Sequence, residues 1–188
     1  MKAVTMIGLL LCVVTTQVFA EVTAKVTEFG YYKALQEIER KRNNSTPTGY
    51  VRSGGNVELV EKTTEIPVAL DRLFGFKFRL EGFDPDMRSA SLILQVIHPE
   101  ITRPNGSKTR GYSYPVNIDV WQGVSENHSG YKFDNDYEMV AGEWVFQYLY
   151  NNKMIVEQKF TLYKPSNDSG QVQAPETTQT TATEQPNP

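Results

Sequence analysis

The chain is poor in the side chains that carry most thiol, metal and acid–base chemistry. Its 188 residues include one cysteine, Cys12, and two histidines, His98 and His128. Cys12 falls inside an N-terminal leader, so the mature chain is expected to hold no thiol. That excludes a disulfide framework, a cysteine nucleophile and a thiolate metal site. A long hydrophobic run is also missing. The apolar stretch Met6–Val14 falls well short of the roughly 20 residues that a membrane-spanning helix needs. An excess of one charge is missing too: the formal net charge is −3, and three acids, Asp168, Glu176 and Glu184, sit in a C-terminal segment with no base. The near-neutral remainder offers no cationic face for duplex nucleic acid. Its one basic run, Arg40-Lys41-Arg42, reads as a solvated loop or strand end.

The leader has the organisation of a secretory signal peptide over residues 1–20. Lys2 is followed by the apolar run, a polar Thr15-Thr16-Gln17 and then Val18-Phe19-Ala20, with cleavage expected after Ala20. Acylation at Cys12 is disfavoured because Leu11 stands where a small residue is wanted. A short leader and a disulfide-free mature chain point to a periplasmic or secreted bacterial protein. The sequons at Asn43, Asn44, Asn105, Asn127 and Asn167 are read as chance in an Asn- and Ser-rich chain. Residues 166–188, rich in Thr, Gln and Pro and without an aromatic, cannot bury enough apolar surface to offset their ordering entropy. They are expected to be a disordered spacer.

Between leader and tail, about 145 residues remain, enough for one domain with its own core. The hydrophobic period there is two. Phe74, Phe76, Phe78 and Leu80 alternate with Gly75, Lys77 and Arg79, the pattern of a half-buried strand. Tyr114, Val116, Ile118 and Val120 alternate with Pro115, Asn117, Asp119 and Trp121, and Trp144, Phe146, Tyr148 and Tyr150 alternate with Val145, Gln147 and Leu149. The last of these runs into Asn151-Asn152, suited to a tight hairpin, with a return strand over Lys153–Tyr163.

Further strands are expected over Val22–Tyr32, Asn56–Lys62 and Ala90–His98. The first switches phase near Glu28 or Gly30, which predicts a bulge. Ser89–Ile97 is apolar on both faces (Leu92, Leu94 and Val96 against Ile93 and Ile97) and is expected to be a central strand covered on both sides. Lys33–Arg42 reads either as a short helix, with Leu35 and Ile38 on one side and Glu37 four before Lys41, or as strand or loop. Strands in this number make an antiparallel sandwich the natural architecture.

Three stretches resemble a known family: TTEIPVALDRLFGFKFRLEG, LILQVIHPE and AGEWVFQYLYNNKMIVEQKFTLYKP. They are similar to bacterial exported proteins grouped as domain of unknown function 3859. The Gly142, Glu143, Trp144, Phe146 and Phe160 hairpin is also similar to the closing strands of bacterial immunoglobulin-like modules. The resemblance implies an all-β, antiparallel immunoglobulin-like β-sandwich of about seven to nine strands with no disulfide, covering residues 21–165. It implies no activity and no catalytic residues.

Catalytic patterns are not matched. Gly111-Tyr112-Ser113-Tyr114-Pro115 and Gly123-Val124-Ser125-Glu126-Asn127 lack the second glycine of a serine-hydrolase elbow, and no phosphate-cradling loop or HExxH occurs. His98, before Pro99, and His128, in an Asn/Ser/Gly stretch, read as exposed loop histidines. Glu138 and Glu143 do not announce a glycosidase pair. Asp134, Asp136 and Glu138 alternate around Asn135 and form a weak calcium candidate, short of the glycine and distant Glu of an EF-hand. No cofactor is expected.

The remaining signal is a crowd of aromatics: Tyr112, Tyr114, Trp121, Tyr131, Phe133 and Tyr137. One reading makes Trp121, Tyr112 and Tyr131, with Asn117 and Asp119, a binding surface for another envelope protein or a glycan. The other makes this an edge strand whose aromatics pack under the loops near Asn105 or Gly123. The function expected is non-catalytic binding or structural association. A carbohydrate-binding module is the first alternative and a small periplasmic enzyme the second.

Overall fold

A computed structural model describes residues 21–36, 39–53 and 55–165. The expected signal peptide and tail lie outside the described residues. Eleven strands follow one another: β1 (Thr23–Ala34), β2 (Glu39–Arg42), β3 (Tyr50–Ser53), β4 (Val57–Glu61), β5 (Glu65–Pro67), β6 (Leu73–Glu81), β7 (Ser89–Thr102), β8 (Lys108–Asp119), β9 (Val124–Lys132), β10 (Gly142–Tyr150) and β11 (Lys153–Tyr163). A single 3-10 turn, Asp136–Glu138, separates β9 from β10. The strands form a four-stranded sheet, β4-β1-β6-β9, a five-stranded sheet, β5-β11-β10-β7-β8, and a separate β2–β3 hairpin. All pairings are antiparallel except β5 with β11. No helix among the described residues is long and apolar enough to cross a membrane.

The period-two rows make the core. Phe74, Phe76, Phe78 and Leu80 of β6 are fully buried, as are Trp144 and Phe146 of β10, Leu92 and Val96 of β7 and Phe160 of β11. Phe74 meets Trp144 edge to face at 5.6 Å, and Phe78 meets Tyr148 at 4.8 Å. Contacts of this geometry add to what area burial alone supplies. The Asn151-Asn152 turn has both φ values positive, 49° and 62°, and joins Tyr150 paired to Lys153, as a two-residue hairpin requires. The β1–β6 register slips between Val26 and Glu28, at the expected bulge. Gly75 lies opposite Gly130 where β6 and β9 approach so closely that a Cβ on Gly75 would sit 2.1 Å from the Ser129 carbonyl oxygen.

Strands β2, β3, β5 and β9 lie outside the seven that the alternation predicts, β2 falling where strand was one alternative to a short helix. The first three have only three or four residues each, too few for a period to show. The helical reading of Lys33–Arg42 gives way to strand at both ends, with β1 reaching Ala34 and β2 starting at Glu39; Glu37 and Ile38 lie outside the described residues. β7 is central in its sheet, but its second face is not covered. Ile93 is 38% and Ile97 42% exposed, because among the described residues no layer packs over the outer side.

Candidate functional site

The two sheets are sealed at their middle and part at one margin. β8 is the last strand of one sheet and β9 the last of the other, and between them lies a cleft of about 730 Å³. That is within the roughly 300–1,000 Å³ of ligand pockets. Its β8 wall carries Tyr112, Tyr114 and Val116, which face inward with Ile118 because they share its strand parity. Tyr112 and Tyr114 have nearly parallel rings 6.1 Å apart. The β9 wall carries Asn127 and Ser129, and Leu94 and Tyr148 reach the cleft from β7 and β10. Burial lifts Tyr114 to about 12 and holds Tyr112 and Tyr148 above their ordinary values. All three therefore stay neutral hydroxyls at physiological pH.

The β2–β3 hairpin borders one end of the cleft. Arg52 and Arg40 converge there on Asp134, the latter at 3.6 Å, and Lys132 lies 4.0 Å from the same carboxylate. Lys132 also pairs with Asp71 at 2.5 Å. Three cations thus share two acids, one of them largely exposed. Beyond this end, Glu138 is fully buried. It accepts hydrogen bonds from the Tyr131 hydroxyl at 2.8 Å and from the Asn135 side-chain amide. Burial nevertheless holds its carboxyl above its ordinary value.

Of the five residues expected to form one binding surface, Tyr112, Tyr131, Asn117 and Asp119 border the cleft and Trp121 does not, although their side chains divide between two faces. Asn117, Asp119 and Trp121 are exposed on the outer parity, with Trp121 69% exposed and the Arg88 guanidinium 5.8 Å from its ring. Tyr112 is on the opposite parity and lines the cleft. Tyr131 is buried, its ring 4.8 Å from Trp144. Strand alternation forbids a single flat platform from this set.

The calcium candidate also comes apart. Asp134 is committed to three cations, Glu138 to Tyr131 and Asn135, and Asp136 heads the 3-10 turn. Among the described residues no group of three such side chains is placed to hold a metal ion. Neither histidine is in a loop. His98 is buried in β7 against Trp144 at 4.9 Å, its Nδ1 within 2.7 Å of the Pro99 carbonyl. Burial lowers its pKa. His128 is exposed, but on β9, edge-on to Tyr32 at 5.5 Å.

Sequence reasoning missed the β9 wall. Ser125, Asn127, Ser129 and Tyr131 do alternate, but mostly as polar residues, so a search for apolar period two passes over them. Tyr114 stands in the aromatic crowd but outside the expected binding surface, and Tyr148 reads as a strand residue only. Arg52 and Lys132 gave no signal, because their convergence depends on tertiary contacts.

Residues 20–162 match the family described as Domain of unknown function (DUF3859). The chain belongs to that family. An immunoglobulin-like protein from Pseudomonas aeruginosa superposes with a TM-score of 0.52 at 20% identity, covering 77% of this chain and 98% of that one. The domain accordingly has an immunoglobulin-like β-sandwich fold. Two other structures match at a TM-score of 0.35. One is a Pseudomonas fluorescens alkylpurine DNA glycosylase bound to abasic-site DNA, at 13% identity over 53% of this chain and 27% of that one. The other is a Kluyveromyces marxianus β-glucosidase, at 6% identity over 76% of this chain and 14% of that one. At that similarity neither bears on function. No curated protein matches the chain.

Proposed function

We propose that this protein is an exported, non-catalytic binding module of the bacterial envelope, and that it binds in the seam between β8 and β9. The observation that carries this reading is the seam itself. A sandwich with a core this aromatic has the material to close its margins, yet this one stays open, lined at its middle with neutral hydroxyls, an amide and aromatic rings and at its ends with charged side chains. Such groups recognise a ligand by shape and hydrogen bonding. Export rests on the leader around Met6–Val14 and Ala20.

The test is site-directed crosslinking in intact cells of the source organism. A photo-crosslinking side chain in place of Tyr114 should yield discrete adducts, while the same group in place of exposed Glu58 on β4 should yield none. Equal labelling at both positions, or none at position 114, would overturn the reading. An intact mass beginning at Glu21 would support export.

One observation favours a second reading, a glycan held by Trp121, whose ring is open to solvent beside Arg88. It lacks the row of rings that a flat sugar platform uses, since Tyr112 and Tyr131 turn inward.

A further inference from the structure

The lining of the seam identifies the kind of ligand it takes. In a strand, side chains alternate between faces, so a cavity lined by side chains alone touches every second residue. This cleft instead touches unbroken runs, Tyr114–Asp119 on one wall and Glu126–Lys132 on the other. Both walls therefore present main-chain atoms.

An edge strand leaves half of its N–H and C=O groups without a ladder partner, and these are a template for another strand. β8 and β9 are both edges among the described residues, but they are not equivalent. β8 contains Pro115, which has no N–H to donate and is a device that blunts edges. β9 contains no proline. Its inner side is paired with β6 without a register shift from Leu73 opposite Lys132 to Glu81 opposite Val124. A regular, unblocked edge along the wall of a cleft is the geometry of strand addition.

Resting on the binding-module reading above, we infer that the occupant of the seam is an extended segment of another protein that adds to β9 as a further strand. The stretch Glu126–Lys132 accommodates a strand of about seven residues, roughly 23 Å long at the usual rise. Alternate side chains of that strand would enter the space between the sheets and meet Tyr114, Val116, Leu94 and Tyr148, so they should be apolar. The others face solvent and should be polar. Near Lys132 the strand reaches Arg40 and Arg52, where three cations share Asp134 and Asp71. An acidic residue of the partner fits that end. The opposite end, with Asp119 and Glu126, would repel one.

A phage-displayed library of random twelve-residue peptides, panned on the full chain, tests this. Enriched sequences should alternate apolar and polar residues and carry an acid toward one end. In the synthetic form of an enriched peptide, N-methylation of alternate amides should weaken binding about tenfold in one phase and change it little in the other, since a strand donates to β9 only from every second residue. Amide exchange within 125–131 should slow on binding, and Tyr114→Ala should weaken the peptide without changing the exchange of β6.

Equal effects of the two methylation patterns would overturn strand addition while leaving the seam a binding site. So would protection of 126–132 by a chitin hexasaccharide when no peptide is enriched. No change at 114–132 with either probe would overturn both readings. If β9 is already protected in the free chain and removing residues 166–188 or diluting the protein exposes it, the occupant is the chain's own tail or a second copy, and a foreign partner is overturned.

Discussion

β6 and β9 are neighbours in one sheet, paired residue for residue, yet their inward rows are opposites. Phe74 faces Tyr131, Phe76 faces Ser129, Phe78 faces Asn127 and Leu80 faces Ser125. β6 lies over β10, and each of its aromatic rings meets an aromatic ring across the gap or beside it. β9 lies over the open seam. There Ser125 donates to the Asp119 carbonyl at 2.5 Å and Asn127 donates to Ser125 at 3.1 Å. One strand spacing thus separates a dry core from a polar wall. What lies opposite a strand, rather than membership of a sheet, decides which residues it presents.

The widest separation of the two regions should appear at Trp144. It is fully buried, contacts Phe74, Tyr131, Phe133 and His98, and its indole N–H donates to the Val140 carbonyl at 3.4 Å. Trp144→Ala is expected to cost about 3–5 kcal/mol, as a large-to-small core change, measured by urea denaturation. A cost near that of a surface change would mean that the core does not depend on β10.

Glu138 sits where the core meets the seam and should give an intermediate effect. Glu138→Ala leaves the Tyr131 hydroxyl and the Asn135 amide without their acceptor. Stranding the buried Tyr131 donor costs about 1–3 kcal/mol, while the exposed Asn135 amide can turn to water. Glu138→Gln keeps an acceptor and should cost less. If the two substitutions destabilise equally, the carboxylate is not what satisfies Tyr131.

A smaller, pH-dependent effect belongs to His98. Burial lowers its pKa in the folded state from an ordinary 6.5, so below that value the unfolded chain binds the extra proton first. Stability is then fully present above pH 6.5 and falls as the pH drops toward the folded value, at up to about 1.4 kcal/mol per pH unit for one proton. Urea midpoints across pH 5–8 should show this slope. His98→Phe should remove its share and leave that of His128, whose pKa desolvation lowers to about 4, and an unchanged slope would mean that His98 carries none of it.

The parts legible in the sequence were those where burial and period agree. Seven strands, the Asn151-Asn152 turn and the β1 bulge follow from alternation and turn chemistry in Phe74–Leu80, Trp144–Tyr150 and Val22–Tyr32. β9 was not legible because its inner row faces the cleft. Asn127 and Ser129 have no reason to be apolar there, and buried Ser125 bonds the Asp119 carbonyl instead, so the same feature that makes the site hides most of the strand. The parity of Tyr112 was available, since it is even with Tyr114, Val116 and Ile118 while Trp121 is odd. Treating nearby aromatics as one patch overrode it. The meeting of Arg40, Arg52 and Lys132 on Asp134 depends on the fold bringing the β2–β3 hairpin beside the end of β9, which no local pattern encodes.

The smallest effect is expected at the other tryptophan. Trp121 follows β8 in the tight connection to β9, closed by reciprocal backbone hydrogen bonds with Val124 at 2.8 and 3.0 Å. Its ring is mostly in solvent, and its one specific neighbour is the Arg88 guanidinium at 5.8 Å. An exposed cation–π contact is worth about 0.5–1 kcal/mol, and Ala at this position keeps the backbone bonds. Trp121→Ala should therefore cost under about 1 kcal/mol, several times less than Trp144→Ala, although both remove the same side chain. Binding in the seam should be unchanged, because Trp121 is not among the residues that line it. Weakened binding of a seam ligand in Trp121→Ala would mean that the site extends past the end of β8, while a loss of stability matching Trp144→Ala would mean that the ring is covered in solution.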